Sequence, residues 1–463
     1  MQSAISDIRW GSGGNPLTGL TITWRNTTTA NDSIKWGYTA TMEKRTFAGV
    51  KRIGVPTTDY FFKYVFGTVI PNSTIYYKLF DSKAKTWTTR MVYSTADVNN
   101  TTKFSFLGMG DSRTGLSIWN QVATLANSKR ADFTIFTGDI VADASISSDW
   151  SNWFINGKTY IQNNLIYHCM GNHDASGEVN FKNSFDLPQT NGSSLYYSFT
   201  YGNAIFIALN SEDPTNSTQT AWLKNTLQAN QNKTWKIIFF HRPFYTIGNH
   251  TGEMDSYFNT WWKTFDDYGV DLIVNGHDHM YERSKPINRN VSTTAPVSKY
   301  GSNSWEGRCQ IVCGGAGAPL YTGSATVFIQ KYVSTYNFCK FNIDGYVLCD
   351  TTFDNNGAII ETFCIDKTPL STGGINNNQL FYDLTVFPNP TKNGFKLKYT
   401  SPLRGEAFIK IYDIKGKEVA SEKVVKTADL LEFEYNLFNY AKGVYSVQVI
   451  MGTQKDDALL VLN

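Results

Sequence analysis

The sequence of 463 residues predicts a multidomain chain: an all-β unit at each end and a layered α/β domain between them. Three observations carry this reading. Both ends alternate apolar and polar residues at a period of two. Between about residues 104 and 280, short apolar runs alternate with segments of helical spacing, the pattern of a β-α-β domain. A Ser/Gly/Asn-rich stretch at 368–380 has neither period and reads as a linker.

In order along the chain, residues 1–98 read as a β-sandwich. Leu20–Trp24 and Ser33–Tyr38 alternate, and Ile70–Leu79 is a Pro/Asn turn running into a strand. This pattern resembles a fibronectin type III module, with an accessory or packing role. The polar run Asp97–Lys103 marks a boundary, and the α/β domain is expected over 102–367. Its helices are expected at Ser117–Lys129, Ser217–Gln231 and Met254–Tyr268. Late strands follow at Cys309–Cys313, Phe338–Ile343, Tyr346–Thr352 and Ala358–Ile365, with Asp344-Gly345 as a hairpin turn. The run Gly314–Pro319 is expected as a tight turn beside a pocket, because it lacks the spacing of a nucleotide loop. After the linker, 381–463 alternates strongly and reads as a small all-β sandwich.

Composition narrows the function. Charged residues make up 17% of the chain and the net charge is +3, too small a surplus to argue for nucleic acid. No run reaches the ~18–20 apolar residues of a membrane span. Met1-Gln2-Ser3-Ala4 lacks the charged start and apolar stretch of a signal peptide, so the chain reads as a mature form behind an added Met. Of six cysteines, Cys169 is expected as a buried apolar residue. The other five fall between 309 and 364, where one or two disulfides fit an oxidising compartment. The Cys309–Cys313 pair has no second pair and no following histidine, which excludes a zinc site there.

The chemistry concentrates between Asp111 and His279. Five apolar runs each lead to a ligand-type residue: Asp111, Asp139, Asn172-His173-Asp174, His241 and His277-Asp278-His279. All six histidines lie between 168 and 279. Buried strands would deliver these oxygens and nitrogens to one pocket. Carboxylate, amide and imidazole ligands suit Fe, Zn or Mn alike, and a pair of such ions clamps a displacement at phosphorus.

In this order the blocks Gly110-Asp111, Gly138-Asp139, Gly171-Asn172-His173-Asp174, Ile238-Phe-Phe-His241 and Gly276-His277-Asp278-His279 resemble the calcineurin-like metallophosphoesterases, in their purple acid phosphatase branch. The resemblance covers about 1–365 and implies two mixed sheets flanked by helices. It implies two metal ions bridged by Asp139. Asp111 and His279 would bind the first, and Asn172, His241 and His277 the second. A metal-bridging hydroxide would attack phosphorus. His173 would protonate the leaving group or bind the phosphoryl oxygen. Asp174 would either orient His173 or cap a helix. His250 would be either a substrate-side histidine or an exposed loop residue, with Arg113 and Asn172 also facing substrate.

Two departures stand out. Ala142 occupies the place of the branch's tyrosine ligand, so a coloured tyrosinate–iron site is not expected. Arg113 stands where many superfamily members carry a histidine. Arg113 would either bind phosphate in two-point fashion or form an ion pair, for instance with Asp143.

The last unit, with Phe387-Pro-Asn-Pro390, Tyr412–Val419 and Gly443-Val-Tyr445, resembles the C-terminal sorting domain of the type IX secretion system. That implies handling by this machinery and secretion or surface attachment; an adhesive or carbohydrate-binding β-module is the other reading. The leading expectation is a secreted dinuclear phosphoesterase acting on small phosphate esters, monoesters first. A phosphodiesterase on nucleotides or other diesters is the enzymatic alternative. A catalytically weak adhesin or glycan binder is the alternative from another class.

Overall fold

Alternation at the start of the chain becomes sheet with one face buried. In the strand Thr74–Asp81 the side chains of Ile75, Tyr77, Leu79 and Asp81 point inward, while those between them are half-exposed. The computed structural model describes all residues except 1–4, 29, 48–49, 54–58, 98–101, 191, 289–295, 304–305, 369–382, 402, 429 and 453. The chain divides into two units, Met1–Pro369 and Leu370–Asn463. The linker expected at 368–380 lies outside the described residues apart from Thr368.

The first unit opens with two antiparallel sheets. One orders Ser6–Ser12, Leu20–Asn26, Tyr60–Val65 and Val50–Ile53. The other is built on Ser33–Gly37 and Thr74–Asp81. Trp10 stacks on Tyr93 at 3.7 Å, and its indole N–H donates to the Gln162 carbonyl at 3.1 Å, tying this β part to the α/β part. One hydrophobic core runs through both, from Trp24 and Tyr77 to Phe106, Phe136 and Phe341.

The α/β part holds two mixed sheets. The six-stranded sheet runs Ile166–His168, Phe133–Phe136, Lys103–Met109, Asn337–Asp344, Val347–Asp354 and Ile359–Asp366. The seven-stranded sheet runs Tyr197–Tyr201, Ala204–Ala208, Trp235–Phe239, Leu272–Asn275, Cys309–Cys313, Tyr281–Ser284 and Ile329–Val333. The second is covered on both faces: Phe206 packs into the core it shares with the first sheet, while Ile205 and Ile207 pack with Leu223, Trp261 and Trp262 on the other side. Burial on both faces is why these strands read as continuous apolar runs.

The helix Leu116–Lys129 buries Trp119, Val122, Ala123 and Ala126, one stripe at helical spacing. Ser217–Ala229 starts where the Asn216 side chain accepts from the Gln219 amide at 3.0 Å. The single helix expected over Met254–Tyr268 is instead three pieces: a 3₁₀ turn Asp255–Tyr257, a π turn Phe258–Trp262 and an α turn Lys263–Asp267. The wide middle turn lets the consecutive Trp261 and Trp262 both be buried, which overrides regular α spacing.

Cys349 and Cys364 face each other across paired strands and form a disulfide, while Cys169, Cys309, Cys313 and Cys339 are buried thiols. Gly345 takes φ +59° in the expected hairpin turn. No helix among the described residues is long and apolar enough to cross a membrane.

The second unit is all-β. A three-stranded sheet (Asp383–Phe387, Gly394–Thr400, Leu430–Asn436) and a four-stranded one (Glu418–Lys426, Gly405–Asp413, Gly443–Met451, Gln454–Leu462) enclose Leu397, Tyr399, Ile409, Ile411, Val447 and Val449.

Candidate metal centre

Parallel pairing brings the ligand-bearing strand ends together. Lys103–Met109, Phe133–Phe136 and Ile166–His168 run parallel, as do Trp235–Phe239 and Leu272–Asn275. The chain turns sharply after each. Asp111, Asp139 and His277 adopt φ values of 59°, 51° and 70°, a left-handed backbone that costs a non-glycine residue about 1–3 kcal/mol. Two glycines let the carboxylates approach. A Cβ on Gly276 would meet Asp111 Oδ2 at 2.3 Å, and one on Gly171 would meet Asp139 Oδ1 at 2.4 Å.

Four acceptor atoms then converge. Asn172 Oδ1 lies 2.9 Å from His241 Nε2, His277 Nδ1 lies 3.0 Å from it, and Asp139 Oδ1 lies 3.3 Å from it. The ring protons are assigned by the partners on the far sides. His241 Nδ1 donates to the Thr137 carbonyl at 2.8 Å. His277 Nε2 faces the Glu253 carboxylate at 3.0 Å. With the His277 proton directed to Glu253, rather than Nε2 accepting from Arg242 Nη1 3.2 Å away, bare lone pairs remain on His241 Nε2 and His277 Nδ1, aimed at each other and at two oxygens. Burial, together with the neighbouring cationic groups and rings, pushes His277 far below the usual histidine range, so it stays neutral. Ligands ~2.1 Å from one ion stand ~3.0–3.4 Å apart, close to the observed separations. Asp139, Asn172, His241 and His277 therefore fit a metal ion.

Asp139 reaches two ways. Oδ1 faces this set, while Oδ2 accepts from Arg113 Nε at 3.0 Å. Burial alone would raise the Asp139 carboxyl, but His241, His173 and Arg113 outweigh it and hold it below its ordinary value. Asp111 is fully buried behind it and accepts from the His277 amide at 3.0–3.1 Å. Burial and then Asp139 push its carboxyl well above the usual range. Asp111, Asp139 and His241 each bring a ligand atom within 4.8 Å of the others.

The set carried over for a first metal is different. His279 Nδ1 donates to the Pro319 carbonyl at 2.7 Å, leaving Nε2 bare, and Arg113 Nη2 stands 3.3 Å from it. Burial and then Arg113 push His279 down to about 4. The ion-pair partner of Arg113 is thus Asp139 and not Asp143, whose carboxylate accepts from Ser145 and Ser176.

His173 Nδ1 donates to the Ala142 carbonyl at 2.6 Å, which turns Nε2 toward Asp139 Oδ2, 3.9 Å away. Asp174 does not orient it. Its carboxylate accepts from the Gly171 and Ile140 amides, both at 3.0 Å, and so joins two ligand loops. Burial holds that carboxyl well above its usual range. His250 Nδ1 lies 2.9 Å from Asp278 Oδ1, and its ring stacks on His277 at 3.7 Å. The expected turn at Gly314–Pro319 lies against the site through His279 and through Gly314, whose Cβ would meet Asp111 Oδ2 at 2.9 Å.

Arg242, Glu212 and Glu253 join the site beside His277. Arg242 pairs with Glu212 at 2.8–3.0 Å and with Glu253, and its Nη1 lies 3.2 Å from His277 Nε2. The signal for Glu212 was present: Asn210-Ser211-Glu212 follows the buried run Ala204–Leu209, one more polar group at a strand end.

A family model described as calcineurin-like phosphoesterase matches residues 104–281, and one described as secretion system C-terminal sorting domain matches 385–462. This chain carries a calcineurin-like phosphoesterase domain and a secretion sorting domain. The sorting domain marks it for secretion or for the outer-membrane surface of a bacterium. The phosphoesterase domain is similar to an uncharacterised protein of Mycobacterium tuberculosis, 28% identical over 236 residues that cover 43% of this chain and 44% of the relative. It is also similar to a phosphoenolpyruvate phosphatase of Allium cepa, 28% identical over 209 residues that cover 39% of this chain and 43% of that one. The chain thus spans less than half the length of these relatives. In fold it is similar to the structure of a purple acid phosphatase from yellow lupin (Lupinus luteus) seeds, with a TM-score of 0.67 and 20% identity over 79% of this chain and 74% of that one.

Proposed function

We propose that the chain is a secreted metal-dependent phosphoesterase that hydrolyses phosphate monoesters. The convergence of Asp139, Asn172, His241 and His277, four acceptors with no proton among them, carries this reading. A metal ion held there supplies Lewis-acid polarisation and acidifies a bound water. The chain's own groups supply the rest. His173, with Nδ1 committed to Ala142, presents Nε2 to the leaving-group side and can hold or release a proton there. Arg242, anchored on Glu212, and His250, which is anchored on Asp278 through Nδ1 and donates from Nε2 only when protonated, stand beside His277 as the groups that would meet phosphoryl oxygens. A monoester exposes three such peripheral oxygens and a diester only two, and a cluster of several donors suits the former. The activity of the onion relative is on a phosphate monoester by its name, which agrees. The domain at 102–367 is read as the hydrolase, with 1–98 as a packed accessory module and 381–463 as the export signal.

The test is hydrolysis by the purified chain, loaded with Mn, Zn or Fe, of a nitrophenyl phosphate monoester and of a bis-nitrophenyl diester. Higher kcat/KM on the monoester is the expected result. A diester preference would replace the substrate reading with a phosphodiesterase. Inactivity with every metal, together with glycan binding, would overturn the enzymatic reading in favour of an adhesin.

A further inference from the structure

The two halves of the metal centre differ in how their acceptors are satisfied. In the half made by Asn172, His241 and His277, bare acceptors face one another. In the half made by Asp111, Asp139 and His279, an arginine already stands among them. Arg113 Nε donates to Asp139 Oδ2 at 3.0 Å, and Arg113 Nη2 stands 3.3 Å from His279 Nε2. The ring proton of His279 is on Nδ1, against Pro319, so Nε2 has a single lone pair. That lone pair accepts from the guanidinium or binds a metal; it cannot do both. The third donor, Asp111, has both oxygens against the His277 amide and stands 3.7 Å from His279 Nε2.

The arginine is held in this place by its loop. Ser112 Oγ donates to the Ile140 carbonyl and accepts from the Trp153 indole, both at 2.9 Å. A Cβ on Gly115 would overlap the Gly317 carbonyl at 2.0 Å. The Arg113 side chain is only 15% exposed. A guanidinium keeps its charge at any working pH and matches a carboxylate edge.

We infer that the Arg113 guanidinium is a built-in cation that takes the place of the first metal, so that this phosphoesterase domain holds one metal ion rather than two. The ion is the one bound by Asp139, Asn172, His241 and His277. Arg113 would then supply a fixed positive charge beside Asp139 that no chelator removes. This inference rests on the metal-dependent reading above, and its test separates the two.

The experiment measures bound metal by elemental analysis of the full chain after Mn²⁺ loading and gel filtration, with electron paramagnetic resonance on the same samples. Wild type is expected to hold one Mn per chain with the spectrum of an isolated ion. Arg113→His, which restores a donor and removes the charge, is expected to hold two, with the spectrum of an exchange-coupled pair. Arg113→Lys, which keeps the charge, should stay at one. Should Arg113→His fail to fold, Arg113→Gln frees the same donors and is expected to take up a second, weaker Mn. Two coupled ions in wild type would overturn the inference and leave the phosphoesterase reading standing. A count of one in both Arg113→His and Arg113→Gln would overturn it as well. No bound metal in wild type after loading with Mn, Zn and Fe in turn would overturn the metal-dependent reading itself.

Discussion

His241 Nε2 and His277 Nδ1 face each other 3.0 Å apart, while His241 Nδ1 is committed to the Thr137 carbonyl and His277 Nε2 to the Glu253 carboxylate. Without a cation, that arrangement places lone pair against lone pair beside Asp139 and Asn172. Metal removal should therefore lower stability as well as activity. A ligand that binds only the folded state adds about 4 kcal/mol when its free concentration is a thousand times Kd. Thermal unfolding is expected to fall by several degrees in chelator and to recover with Mn, Zn or Fe. His241→Ala should abolish both the response to chelator and hydrolysis. A Tm of the wild-type chain that ignores chelator would argue against a metal at this set.

His173 makes its Nδ1 bond to the Ala142 carbonyl and leaves Nε2 on the open side of Asp139, 3.9 Å from Oδ2. General acid assistance is worth about a hundredfold or more, and its loss falls hardest on poor leaving groups. His173→Ala should lower kcat on an alkyl phosphate far more than on a nitrophenyl phosphate, with metal content unchanged. Equal losses on both substrates would assign the ring to phosphoryl binding instead.

The architecture and the meeting of the candidate ligands in one place were legible because they depend on local pattern. An apolar run ended by a ligand-type residue repeats five times, four times with a glycine just before that residue, and parallel pairing makes those ends meet. Relations that depend on side-chain reach were not legible. Arg113 faces Asp139 across 26 positions and His279 across 166. Residue types near Arg113 suggested Asp143, but only the folded loop shows that Ser145 and Ser176 already satisfy that carboxylate. Asp174 reads as a natural partner for the adjacent His173, yet its carboxylate points away to the Gly171 and Ile140 amides. Five cysteines in one β segment left the Cys349–Cys364 pairing open until strand register put them opposite. The aromatic-rich Met254–Tyr268 segment follows packing of Trp261 and Trp262 rather than helical period.

Glu282 is buried beneath the site, accepting from Thr246 Oγ1 at 2.9 Å and close to Asp278 through the same hydroxyl. Burial, reinforced by Asp278, pushes its carboxyl up to about 8 from an ordinary 4.5. The folded chain thus keeps a proton that the unfolded chain releases. Stability from this group is complete below about pH 4.5 and is lost progressively as pH rises toward about 8, at roughly 1.4 kcal/mol per pH unit. Glu282→Gln should remove that part of the decline. Urea midpoints measured across this range are expected to fall more steeply for wild type than for the variant. Parallel slopes would mean that Glu282 ionises normally in the folded state.

The sorting unit has a core of its own, from Phe395 to Leu462, and the described core residues of the first unit end at Ile365. Just beyond that residue, Lys367 Nζ bonds Asp271 at 2.8 Å and the Thr234 carbonyl, closing the end of the seven-stranded sheet that carries His241 and His277. The position of the cut therefore matters. A chain ending at Thr368 should keep wild-type kcat/KM and Tm, because it retains Lys367. One ending at Ile365 should lose stability, because Asp271, itself buried, loses its ammonium partner. Both should fail to leave a producing cell that exports the full-length chain, which fractionation by immunoblot would show. A Thr368-terminated chain that folds poorly would mean that the sorting unit supports the hydrolase as well as its export.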